Sequence, residues 1–360
     1  MRTSIPGEIA QVTAEWLTTV LSGPDAPVAV ETVTHAVVGT GQTGSTYRLD
    51  VTWRDGADGG LPSSFAVKLP SVDAGVRERV ALGYRSEHTF YTRVADSVAV
   101  PVPRCHHIAI DGDGAEFVLL MDDLAPAEQG DQLAGCTRDE AVLAARALAG
   151  LHGPRWCDPA WDALPGIVLG RPDRDSAQGL ADIVGIAVDT TIERIGDRLD
   201  DADVETLRAV TPAIAPWLLA EPTRFSVLHG DYRLDNLMFA PDRSSVTVVD
   251  WQTLAVGLPA RDLAYFVATS VEPDARADIE DDAVREYHDA LLAHGVVGHD
   301  LEECRRDHRL AMLQVPLITT LGFAFSASTD RGDEMAAAML TRGCSAIRDH
   351  GSLDLVAALT

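Results

Sequence analysis

His229, Asp231 and Asn236 fall in one short stretch, Val227-Leu228-His229-Gly230-Asp231-Tyr232-Arg233-Leu234-Asp235-Asn236-Leu237-Met238-Phe239. Asp250 closes the next apolar run, Val248-Val249-Asp250-Trp251. An Asp, an Asn five positions later and a second Asp beyond a hairpin are what phosphoryl transfer from a nucleoside triphosphate asks for. That chemistry needs positioning and charge neutralisation, not a covalent nucleophile. Asp231 would accept a hydrogen bond from an acceptor hydroxyl and fix its line of attack. Asn236 would offer a neutral amide oxygen and Asp250 a carboxylate to Mg²⁺, which takes few protein oxygens beside phosphates and water. Asp and Asn in loops are also ordinary turn formers, so the weight of the stretch depends on a partner elsewhere in the chain.

The local spacing supports the reading. Leu237 to Phe239 reads as a strand, residues 241–245 as a turn and Val246 to Val249 as the returning strand. Such a hairpin brings Asn236 and Asp250 to the same end of the ladder.

The N-terminal part supplies the partner. Val37-Val38-Gly39-Thr40-Gly41-Gln42-Thr43-Gly44-Ser45 carries G-x-G-x-x-G. A dinucleotide-binding turn would open a helix there. Instead Thr46, Tyr47, Leu49, Val51 and Trp53 continue as a β-branched and aromatic strand. The expectation is a glycine hairpin in which Gly39, Gly41, Gly44 and Ser45 cover phosphates through backbone N–H groups. A plain β-hairpin without a ligand is the competing reading. Phe65-Ala66-Val67-Lys68 follows, and Lys68 is the sole lysine of the chain, every other basic residue being Arg. A compact ammonium at the end of an apolar strand suits the α- and β-phosphates, and the planar fork of Arg does not simply replace it. Glu87 lies in a stretch whose Tyr84, His88 and Tyr91 repeat with helical spacing. It is the expected partner of Lys68, with Glu78 a nearby alternative.

Taken together, these segments resemble the aminoglycoside phosphotransferase and choline kinase-like family, particularly its ecdysteroid kinase-like branch. The resemblance runs from an opening helix with Ala14-Glu15-Trp16-Leu17 to Gly257-Leu258-Pro259-Ala260-Arg261-Asp262 and covers nearly the whole length. It implies an α+β, bilobal protein-kinase-like fold. The small β-rich lobe with one helix would span residues 1–120 and the mainly helical lobe residues 121–360. It implies ATP and Mg²⁺ as cofactors and a small-molecule hydroxyl as acceptor. It makes Leu119 to Leu124 the hinge, with backbone groups near Asp122 and Leu124 facing adenine. It makes Asp262 the buried brace of the catalytic loop and His229 a structural histidine rather than a proton carrier. Gly230 stands where protein kinases carry Arg, Asp250 is followed by Trp-Gln, and no A-P-E triplet follows. With no Arg to receive an activation-loop phosphate, small-molecule acceptors are favoured over proteins. Thr46 replaces the usual adenine-packing Val, leaving ATP versus GTP open, and Asp235 has no assigned role. A catalytically silent nucleotide-binding sensor is the alternative function.

The chain has 360 residues, 46% of them hydrophobic, enough for two lobes with real cores. A net charge of −26 disfavours nucleic acid and anionic membranes as partners. Five cysteines with no C-x-x-C pair and no visible leader suggest free thiols and the cytoplasm. Leu310 to Ser328 is apolar but holds Gln314, Pro316 and Gly322, and reads as a buried helix. His106 and His107 read as loop histidines, and His152 as a structural one at a helix end. Thr137 to Glu140 forms a capping box that opens a helix running to about His152. Residues 155–224 are expected to shape the acceptor pocket. Asp158, Asp162, Glu286 and Asp289 are acidic candidates for a cationic acceptor, and Trp156, Trp161 and Trp217 are apolar walls for an alcohol of another kind. The oligomeric state is not legible.

Overall fold

The computed structural model describes residues 4–24, 26–38, 44–220, 223–326 and 329–359. The first part is a five-stranded antiparallel sheet in the order β1-β2-β3-β5-β4. Its strands are β1 (Val30–Val38), β2 (Gly44–Trp53), β3 (Ser64–Pro70), β4 (Cys105–Asp111) and β5 (Glu116–Asp122). Two helices flank it, α1 (Ala14–Leu21) and α2 (Ala74–Thr89). The two-residue period of β5 explains how. Val118 and Leu120 join a core with Trp16 and Leu17 of α1, while Phe117 and Leu119 join one with Tyr84 of α2. Tyr84 stacks on Phe117 with ring centroids 5.1 Å apart. Thr13 caps α1 by accepting from the Trp16 N–H, and Asp73 caps α2 by accepting from that of Val76.

His106 and His107 lie on β4 and not in a loop. The strand continues through them because each finds a partner. The His106 ring meets the Asp122 carboxylate at 2.7 Å, and His107 packs edge-on to Trp16.

The second part is mainly helical: α3 (Arg138–His152), α4 (Arg174–Ile195), α5 (Asp201–Val210), α6 (Ile214–Ala220), α7 (Ala260–Ser270), α8 (Pro273–Ala293), α9 (Leu301–Leu310), α10 (Gln314–Ala324), α11 (Asp330–His350) and α12 (Ser352–Ala357). The Thr137–Glu140 capping box is formed at the start of α3. Two small sheets sit among these helices. In one, β7 (Ser226–Leu228) pairs with β10 (Ala255–Gly257). In the other, β6 (Glu128–Gln129), β8 (Leu237–Phe239) and β9 (Val246–Val248) run in the order β6-β8-β9. The apolar run around Leu310 is a single turn of tighter helix followed by α10, with Val315 and Leu317 fully buried. Among the described residues no helix is long and apolar enough to cross a membrane.

Candidate active site

The candidate catalytic loop leaves β7 through Gly230, whose φ is +84°. A Cβ there would lie 2.1 Å from the Thr253 carbonyl oxygen, so both the left-handed backbone and the space demand glycine. This is the physical reason why Arg cannot occupy the position. Asp262, fully buried in the first turn of α7, accepts from the His229 N–H at 2.6 Å and the Gly230 N–H at 3.0 Å. His152 at the end of α3 adds a contact at 3.3 Å to the same carboxylate. The His229 Nδ1 accepts from the Asp231 N–H at 3.3 Å, and Nε2 donates to the Val249 carbonyl at 3.1 Å. With both nitrogens engaged by backbone, that imidazole ties the loop to the hairpin.

Asp231 is held from three sides. Arg233 Nε donates to both carboxylate oxygens at 3.1 Å, the Tyr265 hydroxyl donates to Oδ1 at 2.9 Å, and Asn236 Nδ2 donates to Oδ2 at 3.1 Å. Asn236 Nδ2 also donates to the Asp231 carbonyl at 2.8 Å, so its amide nitrogen is turned toward Asp231 and its amide oxygen away from it. Asp235 gains a role here: it pairs with Arg233 at 2.7 Å and accepts from the Gln132 N–H. Burial works against charge on the Arg233 guanidinium, but the carboxylates of Asp231 and Asp235 and the Tyr265 oxygen outweigh it and raise its pKa.

The hairpin brings Asp250 next to Asn236. Leu237 sits opposite Val248, and the Val249 N–H donates to the Asn236 carbonyl at 3.0 Å. Asp250 has a φ of +65°, a conformation Asp tolerates better than most residues. Its carboxylate, 41% exposed, lies 3.0 Å from Lys68 Nζ, and Lys68 also meets Glu87 at 2.8 Å. Burial alone would lower the pKa of the Lys68 ammonium, yet Asp250 and Glu87 together raise it. Burial likewise pushes both acids up. For Asp250 the nearby ammonium prevails and lowers the value, whereas Glu87 stays raised. One cation facing two carboxylates leaves negative charge beside Asn236, and this donor set of carboxylate and amide oxygens suits a hard divalent cation.

Trp251, fully buried, stacks on Phe90 at 3.5 Å and lies 4.7 Å from the His229 ring. The buried Ser86, beside Glu87 on α2, donates to the Trp251 carbonyl and accepts from the Leu254 N–H, both at 2.9 Å. Glu87 and Asp250 are thereby fixed relative to each other. At the chain crossing between the two parts, Asp123 takes a bidentate contact from Arg48 at 2.7 and 3.1 Å and a hydrogen bond from the Ser64 hydroxyl. Asp122 spends its N–H on the Arg104 carbonyl, and the Leu124 carbonyl accepts from the Ala127 N–H. Gly44 and Ser45 open β2 opposite Pro70 and Leu69, and a Cβ on Gly44 would lie 2.5 Å from the Leu69 carbonyl oxygen. Gly39 and Gly41 lie outside the described residues.

Spacing alone did not reveal Arg233, Tyr265, Asp123 or Ser86, although Arg233 stands inside the motif. The acceptor-pocket candidates are placed as follows. Trp161 and Trp217 are fully buried in the two helical cores and wall no pocket. Asp158, Asp162 and Glu286 are each taken by a guanidinium, of Arg155, Arg171 and Arg146. Asp289 lies 3.6 Å from His288, and Trp156 packs beside the core that holds Trp161.

A family model described as "Phosphotransferase enzyme family" matches residues 39–297. The chain belongs to this family. The matched span holds Lys68, Glu87, the catalytic loop and the hairpin. Among curated proteins, acyl-CoA dehydrogenase family member 10 of Mus musculus is 43% identical over 51 residues, 14% of this chain and 5% of that protein. Acyl-CoA dehydrogenase family member 11 of Gallus gallus is 31% identical over 77 residues, 21% of this chain and 10% of that protein. The matches thus span 5% and 10% of those two proteins. Among solved structures, a Plasmodium vivax ethanolamine kinase aligns with a TM-score of 0.52 at 12% identity, covering 91% of this chain and 84% of that one. A macrolide 2'-phosphotransferase type I gives 0.52 at 18%, covering 94% and 98%. The GDP complex of aminoglycoside 2'-phosphotransferase-IIIa gives 0.53 at 14%, covering 91% and 96%. These likenesses speak to the fold, the bilobal protein-kinase-like α+β arrangement with a sheet-rich N-terminal and a helical C-terminal part.

Proposed function

We propose that this phosphotransferase moves the γ-phosphoryl group of ATP to a hydroxyl of a small molecule. The observation that carries the reading is the convergence on Asp231: a half-buried carboxylate held by Arg233, Tyr265 and Asn236, next to a hairpin that sets Asn236 beside Asp250. Asp231 accepts the acceptor's hydroxyl proton and orients its oxygen toward phosphorus. The new bond is acceptor O–P, the bond between the γ-phosphorus and the β–γ bridging oxygen breaks, and ADP leaves with that electron pair. Lys68, steadied by Glu87, faces the phosphates. Asn236 and Asp250 would hold magnesium, which supplies neutralisation of the phosphate charge. The Asp122 carbonyl and Leu124 N–H are the hinge groups assigned to the adenine, and Gly44 and Ser45 border the phosphates. The solved GDP complex of an aminoglycoside 2'-phosphotransferase supports a nucleotide as ligand of this site, and its guanine base makes GTP the comparison substrate. The acceptor is a small molecule because no protein-kinase activation-loop Arg precedes Asp231. The acidic chain, of net charge −26, favours a cationic alcohol such as an aminoglycoside.

The test is Mg²⁺-dependent ATP consumption across aminoglycosides, choline and ethanolamine, sugars, and sterol or terpenoid alcohols. Turnover with one acceptor class is expected. Binding of ATP with no turnover on any of them would favour a nucleotide sensor, and absence of ATP binding would overturn the reading.

A further inference from the structure

Away from the catalytic loop, three helices of the C-terminal part bring Glu280 (α8), His308 (α9) and His350 (α11) to one point, their ligand atoms all within 4.8 Å of one another. His308 Nε2 lies 2.5 Å from Glu280 Oε1, and His350 Nε2 lies 2.9 and 3.0 Å from its two oxygens. Glu280 and His308 are buried, while the His350 side chain is 20% exposed, so the cluster opens to solvent on one side.

A buried carboxylate needs a compensating cation. No guanidinium or ammonium among the described residues forms an ion pair with Glu280. The neighbouring guanidiniums are committed elsewhere: Arg276 to Asp349, Arg305 to Asp281 and Glu302, and Arg309 to the His350 carbonyl. Two helix C-termini also converge here, since His308 lies in the last turn of α9 and His350 ends α11. The negative ends of these two helix dipoles make the local field favour positive charge. His308 Nδ1 is buried with no hydrogen-bond partner. No second bond fixes that ring's tautomer, and Nε2 can turn a lone pair toward a metal.

We infer that Glu280, His308 and His350 form a second cation site, a three-ligand seat for a divalent transition metal of the zinc class. Two imidazole nitrogens and one carboxylate match zinc's preference, and the exposed side leaves the fourth position to water. Zinc sits about 2.0–2.2 Å from such ligands, so tetrahedral ligand atoms lie roughly 3.3 Å apart. Reaching that spacing means parting His308 from Glu280 by about 0.8 Å and His350 from Glu280 by about 0.3–0.4 Å. A metal bound there fastens α8, α9 and α11 together. The inference does not rest on the phosphotransferase reading.

The experiment uses the full chain, stripped with a chelator and titrated with Zn²⁺ against a chromogenic competitor in excess Mg²⁺. One tight equivalent is expected, with a rise in unfolding temperature and, for Co²⁺, visible d–d bands of a four-coordinate site. His350→Asn, at the accessible end of α11, and Glu280→Gln should each weaken Zn²⁺ by roughly a hundredfold or more, since removing even an outer-shell partner costs about 10–100-fold. Asp250→Asn should keep the equivalent, which separates this site from the catalytic hairpin. Absence of a tight equivalent in the wild-type protein would overturn the inference, as would undiminished binding in both His350→Asn and Glu280→Gln.

Discussion

Gly230 carries the backbone through a left-handed turn with the Thr253 carbonyl against its α-carbon. Gly230→Ala therefore strains the loop twice, by backbone conformation and by overlap. It should abolish turnover and lower the unfolding temperature, and an active, equally stable variant would contradict the loop geometry. Tyr265 tests the holding of Asp231 more gently. Its hydroxyl donates a single bond to a charged acceptor, and such bonds are worth about 1.5–3 kcal/mol. If that bond matters mainly as the proton moves, Tyr265→Phe should cut kcat by about one to two orders of magnitude and leave nucleotide affinity unchanged. A loss confined to nucleotide binding would argue against it. The cysteines offer an independent check of packing. Burial pushes Cys105 up to about 11 and Cys136 and Cys304 up to about 12. These thiols should react slowly with a thiolate-specific reagent at neutral pH in the folded protein and quickly after denaturation. Fast labelling of all three in the native state would show that the cores are looser than described. The polar residues of the motif were legible because their types are the chemistry. Tyr265 was not, because its hydrogen bond reaches Asp231 from 34 positions away on another element, and no sequence period records such a contact.

At the scale of elements, the hairpin, helix α2 and the hinge hold the site. The strand–turn–strand over Leu237 to Val248 was legible from alternation and the turn residues, as was the helix around Glu87. The bridge from Ser86 to Trp251 and Leu254 was not, since a serine on a helix carries no signal that its hydroxyl will meet a loop 165 positions away. Arg48 and Asp123 join β2 to the end of β5, and the bond is titratable. Burial raises the Asp123 carboxyl, but the hydrogen bonds from Arg48 and Ser64 more than offset this and hold it below its ordinary value. An acid lowered in the folded state contributes stability that is present above the ordinary carboxylate range and lost as the pH falls through the folded value. The cost of Arg48→Ala, read from denaturant unfolding at a series of pH values, should therefore shrink as the pH falls through that window. A cost independent of pH would contradict the pairing. The surroundings of the acceptor-pocket candidates were not legible for a related reason. Composition marks tryptophans and acids as available, but burial removed Trp161 and Trp217, and arginines took up Asp158, Asp162 and Glu286.

The whole molecule places its single lysine between the sheet and the hairpin, where Lys68 touches α2 through Glu87 and the C-terminal part through Asp250. Removing that ammonium leaves Glu87, 1% exposed, without its cation. Breaking a buried pair this way costs about 3–5 kcal/mol, so Lys68→Met should be destabilised as well as inactive. Stability equal to wild type would contradict the described burial. The bilobal α+β class was legible through the family resemblance that the motifs carry. The Glu280–His308–His350 cluster was not, because its members come from three helices with no common spacing. The measurement that bears most directly on the central claim follows the γ-phosphate itself. The wild-type protein and Asp231→Asn are given ATP labelled in that group, with Mg²⁺ and the best acceptor from the screen. Label should pass to the acceptor in the wild type and fall by about two orders of magnitude or more in the variant, with ATP binding unchanged. Equal transfer by the variant would remove Asp231 from the reaction, and label that reaches only water would contradict transfer to an acceptor hydroxyl.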